Sequence, residues 1–391
     1  MNLDGVTIGI PKEIMPGERR VAVIPDTVKK FVEAGAKLLL ESGAGHRSFY
    51  DDEDYRRTGA EIVQDVKKLH EASDIIIKVK EPQYNDELQE HEIDLYPEKS
   101  VLVSFLHPAN RDNHAMVEQL AERNVTSYTL DGIPRISRAQ HMDTLTSMST
   151  AAGYKAVIMA AGNLPSFVPM MPTSFGVLPP AQFLIVGAGV AGLQAIATAK
   201  RLGAKAKAVD IREEANEQAS SVGAEVIPFE VPPDLAMAEG GYARRLPEDW
   251  YRKERELLAP HVQESEVVIL TALIQGEEAP VLIDKEMVEN MKKGSVIIDI
   301  AIDQGGNCAL SRVGEEYSHD GVLISAIQNI PASLSVDSTS MFAQNVFNFI
   351  NYIAAEGKIN DDLNDEVIQG TLVTKDYKIL HKGTLSAMGR D

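Results

Sequence analysis

A chain of 391 residues with a formal charge of −20 argues against binding nucleic-acid phosphates and against direct adsorption to anionic lipid; the acidity can equally be a solubility trait or an adaptation to salt. With 44% hydrophobic and 25% charged residues it has the composition of a globular protein long enough for two or three domains. Cys308 is the only cysteine, so no intramolecular disulfide can form and a reducing compartment fits; the start of the chain carries no secretory signal. No apolar run approaches the ~18 residues of a spanning helix, so direct membrane insertion is excluded and any membrane association runs through a protein partner.

Short apolar runs alternate with amphipathic stretches, the pattern of parallel α/β sheets. Val6–Ile10 reads as a first strand. Asp26 is expected to cap a helix over Thr27–Ala34, which Gly35 closes. Strands are predicted at Lys37–Leu40, Ile75–Val79, Val101–Phe105 and Val125–Tyr128, with a helix over Asp112–Arg123 joining the last two. Ser137–Ala161 predicts one long helix, and a Pro-rich connector runs from Pro165 to Pro180. Further strands are predicted near Glu225–Ile227, Val267–Thr271, Val296–Asp299 and Val322–Ser325. Thr339–Ala355 predicts an amphipathic helix with Phe342, Val346, Phe349, Ile350 and Ile353 on one face, crossing back onto the first domain. The tail from Asp361 to Asp391 is expected to end in a frayed polar segment. The pattern implies two Rossmann-like doubly wound parallel-sheet domains with a cleft between them. Residues 1–135 plus 328–391 form one, and 136–327 form the dinucleotide-binding other.

The second domain opens with the most informative stretch. Four apolar residues, Phe183 to Val186, read as a buried strand, followed by Gly187, Gly189 and Gly192 at G-x-G-x-x-G spacing and a helix over Val190–Leu202. The first glycine permits the tight turn, the second lets backbone approach a pyrophosphate, and the third lets helix pack on strand. The helix N-terminus faces the phosphates with free N–H groups. The next strand, Ala204–Val209, ends in Asp210, where a carboxylate can accept both ribose hydroxyls and would repel a 2′-phosphate. The site therefore reads as NAD rather than NADP. Glu230–Arg245 holds Pro232, Pro233, Gly240, Gly241 and Tyr242 without a period, and is either a functional lid or an insertion without a role.

A second cluster places Arg135, Arg138, Gln140 and Asp143 within nine residues, at the mouth of the expected cleft. An Arg–Asp pair can hold a nicotinamide carboxamide while Gln140 reaches the ribose. The competing reading is a helix-capping cluster with surface charges.

On these elements the chain resembles the NAD(H)-binding component, domain I, of proton-translocating nicotinamide nucleotide transhydrogenases. The resemblance rests on Pro-Arg-Ile-Ser-Arg-Ala-Gln at 134–140, Ala-Gly-Tyr at 152–154 and the glycine-rich stretch at 187–204. It rests also on Gly-Gly-Tyr-Ala at 240–243, Ala-Pro-Val-Leu-Ile at 279–283 and Gly-Gly-Asn-Cys at 305–308. It implies that Arg135, Gln140 and Asp143 position the dihydronicotinamide, that Asp210 binds the adenosine ribose, and that Tyr242 lies on a loop closing over NAD(H). Further NAD(H) contacts implied by it are Ile136, Ser137, His141, Met142, Thr146, Gly187, Gly189, Val190, Gly192, Ile211, Arg212, Gly241, Glu254 and Leu273. The family commonly has Ser at the position of Thr146, which keeps a hydroxyl, and often Gln at the position of Glu254. The resemblance further implies a homodimer working with a membrane-spanning subunit and an NADP(H)-binding subunit, in the cytoplasm at the inner membrane. Hydride would pass from C4 of NADH to C4 of NADP⁺ on that partner, with proton chemistry left to the membrane subunit.

The chain also resembles alanine dehydrogenases. That likeness puts a second pocket on Arg20, on Lys80 in Lys78-Val-Lys-Glu-Pro82, on His107 and on Asp303 in Ile302-Asp-Gln-Gly-Gly306. Arg20 and Lys80 would hold a 2-oxo acid, His107 would act as general acid, and Asp303 would orient ammonia or water. The bland readings are surface ion pairs, a strand end and a turn cap. A third possibility is a protein that binds NAD without hydride exchange.

Overall fold

The computed structural model describes residues 3–237, 243–274, 277–355 and 358–390. They form two compact units, one of Met1–Met148 with Ala332–Asp391 and one of Ser149–Pro331. The divisions thus fall at Met148 and Pro331, not at residues 135 and 327, and the first lies within the helix Thr144–Asn163.

The first unit opens with six parallel strands: β1 (Thr7–Ile10), β2 (Lys37–Glu41), β3 (Glu61–Val63), β4 (Ile75–Ile77), β5 (Val101–Ser104) and β6 (Thr126–Thr129). Their order is β3-β2-β1-β4-β5-β6, so direction of travel reverses between β1 and β4. Ile8 pairs with Leu38 on one side and Ile75 on the other. The inner strands are buried throughout because helices cover both faces, which is why they read as unbroken Ile, Leu and Val.

The second unit repeats the plan with β7 (Gln182–Val186), β8 (Lys205–Val209), β9 (Glu225–Val226), β10 (Val267–Leu270), β11 (Val296–Asp299), β12 (Glu316–His319) and β13 (Val322–Ser325). Here the order is β9-β8-β7-β10-β11-β13-β12, parallel except for β12, which runs against β13. The switch point lies between β7 and β10.

The chain then returns to the first unit. The helix Ser335–Ile353 buries Phe342, Val346, Phe349, Ile350 and Ile353 in the core that also holds Ile8 and Tyr128. Next β14 (Leu372–Lys375) lies antiparallel to β6, and β15 (Lys378–Ile379) pairs outside it.

Three local expectations are corrected. The first helix is Pro25–Glu33, with Asp26 in its first turn; Pro25 starts it, and the Thr27 hydroxyl accepts the Ile24 N–H at 3.0 Å in place of an Asp cap. The long helix is broken: Ser137–Met142 is a 3₁₀ turn, and the α-helix begins only after Asp143. The tail is ordered through residue 390, because Val367, Ile368, Leu372 and Val373 are buried and anchor it.

Candidate functional site

The glycine turn has the required tightness. Gly187 sits at φ +91°, and a Cβ on Gly192 would stand 1.9 Å from the Gly187 carbonyl oxygen. Only glycine therefore lets this helix start against this strand. A Cβ on Gly189 would meet only Arg212 Nη2, at 3.8 Å, so the backbone there is open to approach. The helix Val190–Arg201 begins at once, with Gly189 at its N-cap.

Asp210 follows β8 and is buried. Its Oδ2 accepts the Ala188 N–H at 2.8 Å, tying it to the glycine turn, and Arg212 Nη2 at 2.8 Å. Its Oδ1 accepts the Arg212 amide and Nε, both at 2.9 Å. A carboxylate offers about four acceptor positions, and here all four are filled. Asn216 brackets the Asp210 backbone, accepting its N–H at 3.0 Å and donating to its carbonyl at 2.8 Å. The sequence reading missed Asn216; its amide in the first turns after the acid was the available signal.

Glu254, on the helix Glu248–Glu264, is 3% exposed, and its Oε2 is buried with no hydrogen-bond partner. Burial first, and the nearby Asp210 second, push its carboxyl up to about 8. Ile211 is half-buried and Leu273 39% exposed. The loop holding Leu273 is fixed by Asn307, which accepts the Ala272 N–H at 2.9 Å and donates to the carbonyls of Ala272 and Pro280. Asn307 is set in turn by Asp299, which accepts its N–H at 2.9 Å. Gly241 and Tyr242 lie outside the described residues; beside them Met237 and Ala243 form an antiparallel bridge.

In the first unit, Asp143 caps the helix Thr144–Asn163: its Oδ1 accepts the Thr146 N–H at 2.8 Å and its Oδ2 the Thr146 hydroxyl at 2.6 Å. The capping reading is thus realised, and each oxygen keeps a second lone pair. The His141 carbonyl accepts Asn345 Nδ2 at 3.0 Å and Asn348 Nδ2 at 2.8 Å, which pins the 3₁₀ turn. Arg135, Ser137, Gln140 and His141 are exposed on that turn, while Met142 is buried and Ile136 packs on the core. Arg138 turns instead to Glu366, at 2.9 Å.

The residues of the other predicted pocket come from both units. Asp303 belongs to the second unit, exposed and 3.4 Å from the Asn329 N–H. Arg20, Lys80 and His107 follow β1, β4 and β5 at the C-terminal edge of the first sheet. Arg20 is buried: Nε and Nη2 grip Glu18 at 2.8 and 2.6 Å, and Nη1 meets Met148 Sδ at 2.9 Å. His107, at φ 44°, stacks on Phe105 and sets Nδ1 3.5 Å from Asp131 Oδ2. Burial would lower its pKa, but the charge and hydrogen bond of Asp131 carry it above the ordinary value. Lys80 is half-buried, its N–H 3.4 Å from Glu13 Oε2. Beneath it Lys78 is fully buried, 2.5 Å from Glu92 Oε1 and 3.8 Å from Glu13 Oε2, and burial pushes Glu13 up to about 7. Glu13, Glu92 and Asp131 were not foreseen, since lone carboxylates outside a motif give no sign of what the sheet will bring beside them. A cavity of about 370 Å³ opens at the opposite, N-terminal edge, beside Asp74 and Glu98, apart from all these groups.

The model of the alanine dehydrogenase/PNT N-terminal domain matches residues 9–152, and that of the C-terminal domain residues 156–382. Over 380 residues, 96% of this chain and 97% of the other, the sequence is 42% identical to the first portion of the NAD(P) transhydrogenase subunit alpha of Rhodospirillum rubrum. It is 29% identical to an alanine dehydrogenase of Methanococcus maripaludis, covering 97% and 96% of the two chains. The solved structure of a transhydrogenase from Sinorhizobium meliloti superposes with a TM-score of 0.83 at 34% identity, over 95% of this chain and 99% of that one. With both domain models matched along nearly its whole length, the chain belongs to the alanine dehydrogenase/PNT family, a family of oxidoreductases.

Proposed function

We propose that this chain is the NAD(H)-binding component of a proton-translocating transhydrogenase. The observation that carries this reading is the intact dinucleotide turn, with Gly187, Gly189 and Gly192 leading to Asp210, in a chain similar end to end to a transhydrogenase alpha-subunit polypeptide. The residues fit the cofactor: the backbone at Gly189 is open, and Asp210 stands where a ribose is taken. When bound, the reduced nicotinamide supplies the hydride, which goes to NADP⁺ on a partner subunit.

This chain's own residues then bind and orient. The amides at the start of Val190–Arg201 take the pyrophosphate. Arg212 gives up part of its grip on Asp210 so that ribose hydroxyls can enter; its Nη2 already lies toward Gly189, where the phosphates arrive. Arg135, Gln140 and Asp143 serve the nicotinamide end, with Thr146 held by Asp143 to present its hydroxyl. Close approach of two rings, roughly 3–3.5 Å with water excluded, is the catalytic contribution. Among the described residues no helix is long and apolar enough to cross a membrane. In this reading proton translocation belongs to a membrane-spanning partner, to which this component is peripheral. For the homodimer we assign the hairpin of Met171–Thr173 and Gly176–Leu178, which exposes Phe175 by 82% and Val177 by 62% beside Met170.

Alanine dehydrogenation is the second reading, favoured by the His107–Asp131 pair. A substrate carboxylate would have to displace Met148 from Arg20 Nη1, the rest of that guanidinium being held by Glu18. The test is to supply NADH with an NADP⁺-loaded partner subunit, and in parallel to assay alanine oxidation by the chain alone. Partner-dependent hydride transfer is expected, slowed by Gln140→Asn far more than NADH binding is weakened. Alanine-dependent NAD⁺ reduction that vanishes in His107→Ala would replace this reading with the second.

A further inference from the structure

A buried carboxyl with an empty oxygen is costly as an anion and needs either a proton or a partner. Glu254 is in that position: 3% exposed, with Oε2 unpartnered, and close enough to Asp210 for the two charges to oppose each other. Asp210 has Arg212 to hold its charge, whereas Arg255, on Glu254's own helix, only partly offsets the burial of Glu254. Tyr251, one turn before, accepts the Leu246 N–H on its hydroxyl oxygen and makes no hydrogen bond to Glu254 Oε2. Among the described residues, Asp210 after β8, with Tyr251 and Arg255 on the helix, are thus the charged and titratable groups that act on Glu254.

We propose that Glu254 works in the dinucleotide site as a neutral carboxylic acid, donating a hydrogen bond from Oε2 to the adenosine moiety, so that NADH is held only while Glu254 keeps its proton. This rests on the reading of the second unit as the NAD(H) site. A neutral carboxyl donates as an amide would, so this position can serve a ligand acceptor without adding charge beside Asp210. The same proton keeps the pair Asp210 and Glu254 at a single negative charge, which Arg212 balances. Burial and Asp210 set the loss of that proton near pH 8, so the effect falls within a range where NADH is stable and measurable.

The test is NADH affinity by fluorescence titration of the full chain from pH 6.5 to 9.5. With one required proton lost near pH 8, Kd rises about thirty-fold between pH 7 and 9.5, by the fraction of competent protein. Glu254→Gln, which cannot lose that proton, flattens the profile. Calorimetry at pH 8 in two buffers of different ionisation heat shows proton uptake on binding for the wild type and none for the variant. A wild-type Kd flat to pH 9.5, or a Glu254→Gln variant with an unchanged pH profile, overturns the proposal while the NAD(H) reading stands. Absence of NADH binding at every pH overturns both. The wild-type profile alone decides if the variant does not fold.

Discussion

The two sheets share the order of their first five strands, yet their switch points are built from opposite materials. In the second unit the crevice beside β7 and β10 is bare backbone: three glycines, a helix start and one carboxylate beyond them. In the first unit the matching place beside β1 and β4 is filled from below by Lys78, Glu13 and Glu92, buried and bonded to one another. Topology offers a ligand crevice in both. Residue chemistry decides that one is lined by bare backbone while the other is floored with ions that fix the loops above it.

The sharpest way to break this contrast is Lys78→Met. Removing the ammonium leaves Glu13 and Glu92 buried against each other, and a loss of about 3–5 kcal/mol in unfolding free energy is expected from chemical denaturation. Glu13 can soften that loss by taking up a proton, so the deficit should be larger at pH 8 than at pH 6. A loss below ~1 kcal/mol would mean the ion cluster does not hold that edge. Asp210→Asn probes the open crevice: NADH affinity measured calorimetrically should fall by ~1.5–3 kcal/mol, as for hydrogen bonds to a charged group. Unchanged affinity would remove Asp210 from the ribose.

How much of this contrast was legible in the chain follows the same division. The open crevice was legible because its chemistry is local: glycines at fixed spacing, then an acid one strand later. The filled one was not, because Glu13, Lys78 and Glu92 come from three segments and meet only once β1 and β4 are paired. Inner strands were legible as runs such as Val101–Ser104, buried on both faces. Edge strands Glu61–Val63 and Glu316–His319 were not, being short and partly exposed along their length. Strand β14 depends on a partner far away in sequence, with Thr374 bonded to Ser127 at 2.6 Å.

Two smaller effects sharpen the comparison. Asp143→Ala removes the cap of Thr144–Asn163 and should cost roughly 0.5–2 kcal/mol of stability. If the residue also serves the nicotinamide, hydride transfer with a partner should slow beyond what the stability loss explains. A rate that follows stability alone would leave only the cap. His107 gives the smallest change. Its folded pKa is raised, so its pairing with Asp131 stabilises the chain below pH ~6.5 and is lost as pH rises through the folded value. Asp131→Asn should therefore lower the unfolding free energy more at pH 6 than at pH 9, by less than ~1 kcal/mol because the imidazole is partly open to water. Equal losses at both pH values would show that Asp131 acts through the Thr129 hydroxyl and the His107 amide instead.

The return of the chain to the first sheet orders events on the ribosome. Ser149–Pro331 is complete while Ala332–Asp391 is still to be made, so the second unit can close its core first. The unit begun earliest must wait, its β6 edge unpaired and its core without Phe342 and Phe349, until the last segment of the chain arrives. A message cut short after residue 331 would thus release a finished nucleotide-binding half attached to an unfinished one with an open strand edge, a form prone to pair with other nascent chains.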